Sequence, residues 1–267
     1  MKEFLSVKEF SKLSGIENTT LRYWDEIGLF SPAKRDPENN YRYYAPWQVI
    51  AINFISVLSS LNVPLKTISE MEGIRNPENI IDLIDRQENL LDTEMRRLRE
   101  AYSIIHIRRE LIKNGMKVAE PNVSVGKLDS RLMVMGPPNH FREGGAFYEP
   151  FAYFCEQAKN LRINLGYPIG GYHDSMESFL NAPSQPDCFY SLDPTGNVEQ
   201  PEGEYLIGHV HGYYGEFSDL PERMESYAKE HSLNLGGPVF TLYLQDEICV
   251  KEPDEYLSQI SVAIVEG

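Results

Sequence analysis

The chain has 267 residues, with hydrophobic side chains at 42% and charged ones at 24%, which is ordinary globular usage and excludes a disordered, collagen-like or disulfide-dense chain. The length suggests about two domains. The net charge of −15 is unevenly placed, since residues 1–120 carry 17 basic and 18 acidic side chains while residues 121–267 carry 8 and 22; halves so different have different jobs, and the overall acidity argues little against nucleic-acid binding by the first third.

Ser6-Val7-Lys8-Glu9 reads as a capping box, with Leu5 and Phe10 at the staple positions around it. The helix it opens is expected to run to Leu13 and to be ended by Gly15. Asn18 is the expected N-cap of a second helix over residues 19–26, stopped by Gly28. Helix, glycine turn and helix within about twenty residues is helix-turn-helix spacing. A turn-rich loop, SPAKRDPENN, leads to the aromatic cluster Tyr41-Arg42-Tyr43-Tyr44. Pro46 is placed to start a third helix. Along it Trp47, Ile50, Phe54, Val57, Leu58 and Leu61 recur at helical spacing and predict its buried side. The uncharged run 43–65 is long enough to cross a bilayer, but Pro46, Gln48, Asn53, Asn62, Pro64 and its serines mark a half-buried helix of a soluble domain, so no membrane partner is expected. A short fourth helix is expected over residues 65–71.

Asn76-Pro77 opens the longest helix, expected to reach residue 113 and to span about 55 Å at 1.5 Å per residue. Ile84, Leu91, Leu98, Ile105 and Ile112 are seven apart. Gln87, Glu94, Ala101 and Arg108 fill the other seam position, and Leu83, Leu90, Ile104 and Leu111 widen the apolar face. A small domain cannot bury both stripes of so long a helix, which predicts coiled-coil dimerisation; the alternative is a helix packed within its own chain. From Val125 the texture changes. Short β-rich runs appear at SRLMVM, GYPIGGYH, CFYSL, EYLIGHVH, PVFTLYL and YLSQISVAIVE, with helical stretches at 147–161 and 220–231. The order reads β-α-β-β twice, a duplication of pattern rather than of sequence, and predicts an α+β sheet with helices on one face.

Cys155, Cys188 and Cys249 are far apart with no C-x-x-C pair, which supports neither a zinc knuckle nor a disulfide framework and points to a reducing cytosol. The first fifteen residues lack the apolar core of a signal peptide, so a cytoplasmic protein is expected. His209-x-His211 puts two rings on one strand face, a weak metal signal, and is read as an ordinary polar pair. No metal and no cofactor are expected.

Leu21-Arg22-Tyr23-Trp24-Asp25-Glu26-Ile27-Gly28-Leu29, followed by Tyr41-Arg42-Tyr43-Tyr44, gives the first seventy residues their strongest resemblance. They resemble the DNA-binding domain of the MerR family of bacterial transcription regulators, with Trp24 where that family's "LRYYDEIGL" segment carries its second tyrosine. The resemblance implies a winged helix-turn-helix, a homodimer joined by an antiparallel coiled coil, and double-stranded promoter DNA with RNA polymerase as partners. Arg22 and Tyr23 would then sit on the helix presented to the major groove, arginine offering a donor fork to a base edge or phosphate and tyrosine a hydroxyl to a phosphate. Lys34, Arg35 and Arg42 put three cations in and beside the wing, and by resemblance Arg42 and Tyr41 are its phosphate contacts. Tyr43 is divided between DNA contact and packing on the third helix, while Tyr44 is read as packing. Lys8, Lys12 and Lys66 are read as solvated surface. Residues 1–66 hold only 8 basic against 7 acidic side chains, so binding must rely on placed contacts and dimer symmetry.

Beyond residue 120, Pro238-Val-Phe-Thr-Leu-Tyr-Leu, Asp254-Glu-Tyr256-Leu-Ser-Gln-Ile-Ser-Val-Ala-Ile and Pro201-x-Gly203-x-Tyr205 resemble the gyrase-inhibitor-like effector domain, and the whole chain resembles the BmrR multidrug regulator subgroup. That subgroup implies a pocket between the two β-α-β-β halves for flat, apolar, often cationic molecules, lined by aromatic rings and a buried glutamate. By position the lining would include Tyr148, Tyr227, Tyr243 and Tyr256. Thr241 stands where the glutamate is usual, a departure that leaves a hydroxyl and favours a neutral or weakly charged small aromatic effector, unless Glu204 or Glu247 supplies the acid. Lys34 occupies the position from which an aromatic caps the pocket in the subgroup. The expected layout is residues 1–75 as winged helix-turn-helix, 76–116 as dimerisation helix and 117–267 as effector-binding domain. The expected function is a ligand-responsive transcription regulator and not an enzyme. The alternative is a gyrase-inhibitor-like hydrolase or drug-sequestering module on a DNA-binding head, against which Thr241 and the lack of a G-x-S-x-G motif count.

Overall fold

A computed structural model describes residues 3–73, 77–141 and 148–266, and the chain divides into two compact units, Met1–Met95 and Arg96–Gly267. The first unit runs β1 (Leu5–Ser6), α1 (Val7–Ser14), α2 (Asn18–Glu26), β2 (Lys34–Arg35), β3 (Arg42–Tyr44), α3 (Gln48–Ser60) and α4 (Leu65–Gly73). The capping box forms as expected: the Ser6 hydroxyl accepts from the Glu9 N–H at 3.3 Å, and the Glu9 carboxylate accepts from the Ser6 N–H at 2.9 Å. Gly15 closes α1 at φ 77 and Gly28 follows α2 at φ 71, the left-handed conformation that glycine adopts without a Cβ penalty. The second helix differs from expectation at its start. It begins at Asn18 itself, with Glu17 in the extended cap position and no side-chain cap.

The order β1-β3-β2 places the last strand of the wing between the two others, with Leu5 opposite Tyr44 and Arg35 opposite Arg42. Tyr44 is fully buried and its ring lies 4.7 Å from Phe10 and 5.8 Å from Phe30, so it packs the core as expected. Burial pushes its phenol up to about 12. The third helix corrects the sequence reading in two ways. It starts at Gln48, after a turn in which Ala45 and Pro46 carbonyls accept from Gln48 and Val49. Its buried side is Ile52 and Leu58, with Val49 and Ile55 partly covered, whereas Trp47, Ile50, Phe54, Val57 and Leu61 are exposed, Trp47 by 68%. A helix reading QVIAINFISVLSS is apolar on both sides, and periodicity alone cannot choose the side that meets the core.

The long helix α5 (Pro77–Gly115) opens at Pro77 as expected and ends at Gly115. Leu83 and Leu111 near its two ends are buried, while Leu90, Leu98, Tyr102 and Ile105 between them are exposed. The second unit continues with β4 (Val123–Leu128), β5 (Arg131–Pro138), α6 (Tyr148–Leu161), β6 (Ile169–His173), α7 (Met176–Asn181), β7 (Cys188–Ser191), β8 (Val198–Gln200), β9 (Gly203–His211), α8 (Leu220–Glu230), β10 (Leu235–Gln245) and β11 (Leu257–Ile264). Phe147, read as the start of α6, lies outside the described residues. The strands β4 and β8 and the helix α7 have no counterpart in the sequence reading; β8 and α7 are very short, and β4 straddles Val125, where the composition changes.

The strands form one antiparallel sheet in the order β4-β9-β11-β10-β6-β7-β5-β8. This order bears out the duplication. The halves β5-α6-β6-β7 and β9-α8-β10-β11 each place their third strand between the first and second, and the two second strands, β6 and β10, pair at the centre. Alternation along β10 sends Val239 to the core beneath α7 and α8, and sends Phe240, Leu242 and Leu244 to the opposite face. That opposite face is covered by Ile107 and Leu111 from the last turns of α5.

His173, at the end of β6, is fully buried, with its ring edge-on to Phe179 at 5.1 Å and no hydrogen-bond partner for either nitrogen among the described residues. Burial holds its imidazolium down to about 4. A depressed pKa contributes stability that is whole above the unfolded value, about 6.5, and is lost as pH falls through about 4. The second unit should therefore lose roughly 3 kcal/mol between pH 6.5 and 4 from this group. His173→Phe should flatten the slope of unfolding free energy against pH in that window, as read by denaturant melts; an unchanged slope would exclude His173 as its source.

Candidate functional site

In the first unit, Arg22 and Tyr23 are both exposed on α2, while Leu21 and Trp24 beside them enter the core. The next residue is the surprise. Asp25 has a side chain only 1% exposed, and two wing arginines converge on it. Arg35 Nη2 donates to both carboxylate oxygens at 2.7 and 2.6 Å, and Arg42 Nε donates to Oδ2 at 2.5 Å. Arg42 Nη2 also lies 4.0 Å from Glu26. The hydrogen bond to Asp25 is the main reason the Arg42 guanidinium holds its proton more firmly than usual. Arg35 and Arg42, read as wing cations for DNA, thus have a first task inside the protein: they bind the wing to the recognition helix, with part of each side chain still exposed. Gln48 makes a second tie, since its carbonyl accepts from Ala33 and Ala45 N–H and its amide donates to the Ser31 carbonyl at 2.9 Å. Lys34 stands 5.7 Å over the Phe4 ring, and Tyr41, exposed, leans on Tyr43 at 5.3 Å. In the sequence Asp25 is one residue of the Leu21–Leu29 motif, and the only signal for its role is an acid set against a segment with three cations, Lys34, Arg35 and Arg42.

Asp25→Ala should cost about 1–3 kcal/mol, the worth of charge-assisted hydrogen bonds whose arginine partners can still reach water. It should also weaken DNA binding more than Arg42→Ala does, because it frees both arginines at once. Thermal melts and fluorescence anisotropy on a DNA duplex test this; equal affinities for the two variants would show that the clamp does not order the wing.

In the second unit a cavity of about 640 Å³ opens at the central β6–β10 seam. Its floor is Gly170 and Gly171. A Cβ on Gly170 would stand 2.3 Å from the Tyr190 ring, and one on Gly171 would stand 2.6 Å from Thr241 Oγ1. Both positions must therefore stay bare. The walls are aromatic: Tyr148, Phe151, Phe189, Tyr213, Tyr214, Phe217 and Tyr243. Tyr243 Oη donates to the Tyr213 carbonyl at 2.8 Å and accepts from the Gly215 N–H at 3.2 Å, and burial pushes its phenol well up. The Tyr214 ring lies 4.6 Å from Tyr243, and its hydroxyl donates to the Glu247 carboxylate. Burial and that acid together raise the Tyr214 phenol strongly. Asp246, also on the wall, receives Arg108 Nη1 at 2.6 Å.

The cavity gathers Tyr148, Thr241 and Tyr243 among the five residues singled out from sequence, and leaves out two. Tyr227 stacks on His231 at 4.0 Å and faces a shallow groove beside α8. Tyr256 is buried behind the wall, 5.7 Å from Tyr214. Thr241 is present in a different role from the one expected: its hydroxyl accepts from the Gly171 N–H at 3.1 Å and donates to the Gly171 carbonyl at 3.3 Å, so it closes the seam. Of the two acids considered as substitutes, Glu247 lines the cavity, while Glu204 lies on β9 opposite Lys127. Tyr213, Tyr214 and Asp246 were missed; the Gly-Tyr-Tyr-Gly run at 212–215 was the available signal. Arg108 was read as a coiled-coil seam residue, because the heptad count cannot see a partner 138 positions away.

Residues 5–72 match the family described as MerR HTH family regulatory protein. The whole chain is 32% identical over 294 aligned positions to the "Multidrug-efflux transporter 1 regulator" of Bacillus subtilis (strain 168), covering 100% of both proteins. It is 23% identical to the "Multidrug-efflux transporter 2 regulator" of the same organism over 100% of this chain and 98% of that one. Among solved structures, the EcmrR–DNA complex in EcmrR-RPo aligns over 98% of this chain and 100% of that one at 16% identity and a TM-score of 0.37.

Proposed function

Because the chain belongs to the MerR family of helix-turn-helix regulatory proteins, we propose that it is a ligand-responsive transcription regulator with three working parts. Residues 1–75 bind double-stranded promoter DNA, residues 76–116 join two copies, and residues 117–267 sense a small aromatic molecule. RNA polymerase and the promoter are then its macromolecular partners, and the cytoplasm its place of work; no described helix is long and apolar enough to cross a membrane. The role is regulatory rather than catalytic.

The observation that carries the sensing role is the seam cavity, with seven aromatic side chains and a carboxylate, Glu247, held by the Tyr214 hydroxyl. Aromatic faces and an acid suit a flat cation, through ring quadrupoles and charge together. The acid that Thr241 does not supply comes from the turn after β10, which favours a singly charged aromatic cation over a neutral one. Arg22 and Tyr23 are the proposed groove contacts. Lys34, Arg35, Tyr41, Arg42 and Tyr43 are the proposed wing contacts, with Arg35 and Arg42 acting from fixed positions. The exposed Leu98 and Ile105 on α5, seven apart and in one seam with half-buried Leu91, supply the dimer contact.

Two measurements test these assignments. Ethidium should bind the wild-type protein in a fluorescence titration and bind several-fold more weakly to Glu247→Gln; equal affinities would remove Glu247 from the site. Leu91→Asp with Leu98→Asp should give monomers by sedimentation and abolish specific DNA binding, whereas an intact dimer would place the interface elsewhere.

A further inference from the structure

Three described residues lining the cavity carry full charges: Arg108, Asp246 and Glu247. They come from two elements. Arg108 rides on α5, and the two acids follow β10 directly. Their pairing is ordered. Asp246 is buried and accepts both Arg108 Nη1 at 2.6 Å and the Ile248 N–H at 3.2 Å. Glu247 is exposed, and its hydrogen bond comes from a neutral phenol, Tyr214. One acid is therefore neutralised by an arginine and the other is not. The aromatic cavity presents a balance of one negative charge rather than two.

We propose that Arg108 is a specificity residue of this cavity, setting the charge of the ligand it selects: by neutralising Asp246 it leaves one uncompensated carboxylate and matches the site to monocations. The proposal rests on the seam cavity being the ligand site. Across a cavity of this size a second uncompensated acid would act on a ligand's second charge at an effective dielectric well below that of water, which makes its removal or addition worth about tenfold in relative affinity.

The test uses the full-length protein at pH 8 and two dyes with the same phenanthridinium ring, ethidium with one positive charge and propidium with two. Arg108→Met should shift the ratio of the two dissociation constants about tenfold toward propidium. Arg108→Lys should keep the wild-type ratio, and Asp246→Asn, which leaves the arginine unopposed, should shift it the other way. Arg109→Met, at an exposed neighbour paired with Glu110, should leave it alone. Should Arg108→Met fail to fold, the Asp246→Asn shift decides by its sign. An unmoved ratio in a variant that still binds ethidium overturns the proposal while leaving the cavity assignment standing. Loss of any effect of Glu247→Gln on either dye overturns the cavity assignment, and this proposal with it.

Discussion

The pairing of β6 with β10 is the constraint on which the sensing half of the molecule depends. Among the described residues it is the only strand pairing that joins the two β-α-β-β halves, and it occurs where β6 cannot carry an extra carbon. Gly170 and Gly171 let the Tyr190 ring and the Thr241 side chain close against the backbone. On the cavity side the bare position is Gly171, opposite Thr241, and its missing Cβ leaves room above the seam. A sheet built this way makes its cavity out of the same requirement that joins its halves, and the aromatic residues of α6 and the loop after β9 need only stand around the rim.

The first unit solves a different problem with the same economy of parts. A wing of two short strands has little buried surface of its own, and two strands of two and three residues are too short to be independently stable. It is held by one buried carboxylate on the recognition helix and one buried glutamine on the next helix. Cations that would serve a DNA backbone are thereby set at fixed positions before any DNA arrives, which reduces the ordering cost of binding. Near-neutral charge in this region is compatible with binding when the few cations present are preorganised.

Much of this was legible in the sequence. The capping box, the glycine stops, the strand alternation of β10 and the doubled β-α-β-β order follow from local chemistry and periodicity, and all appear. What was not legible has a common cause. The choice of buried face on α3, the capture of Arg35 and Arg42 by Asp25, the hydrogen bonds of Thr241 to Gly171, and the Arg108–Asp246 pair are all contacts between residues distant in the chain. A spacing rule reports which side chains share a face; it does not report what lies opposite. Tyr227 and Tyr256 lie outside the cavity for the same reason: Tyr227 sits on the expected helix but stacks on His231, and Tyr256 stands just before β11 and packs beside Tyr213 and Tyr214.

The central claim is that one chain couples an aromatic cavity to DNA binding. Coupling between two sites is reciprocal, so a ligand that changes affinity for DNA must have its own affinity changed by DNA to the same extent. The direct measurement is a calorimetric titration of a non-intercalating aromatic monocation, tetraphenylphosphonium, into the dimer alone and into the dimer saturated with the duplex recovered by sequencing its bound DNA, paired with DNA titrations in the absence and presence of the cation. The account predicts the same factor, different from one, in both pairs. A factor of one in both pairs, with cation and DNA each bound, would show two independent sites on one chain and would contradict it.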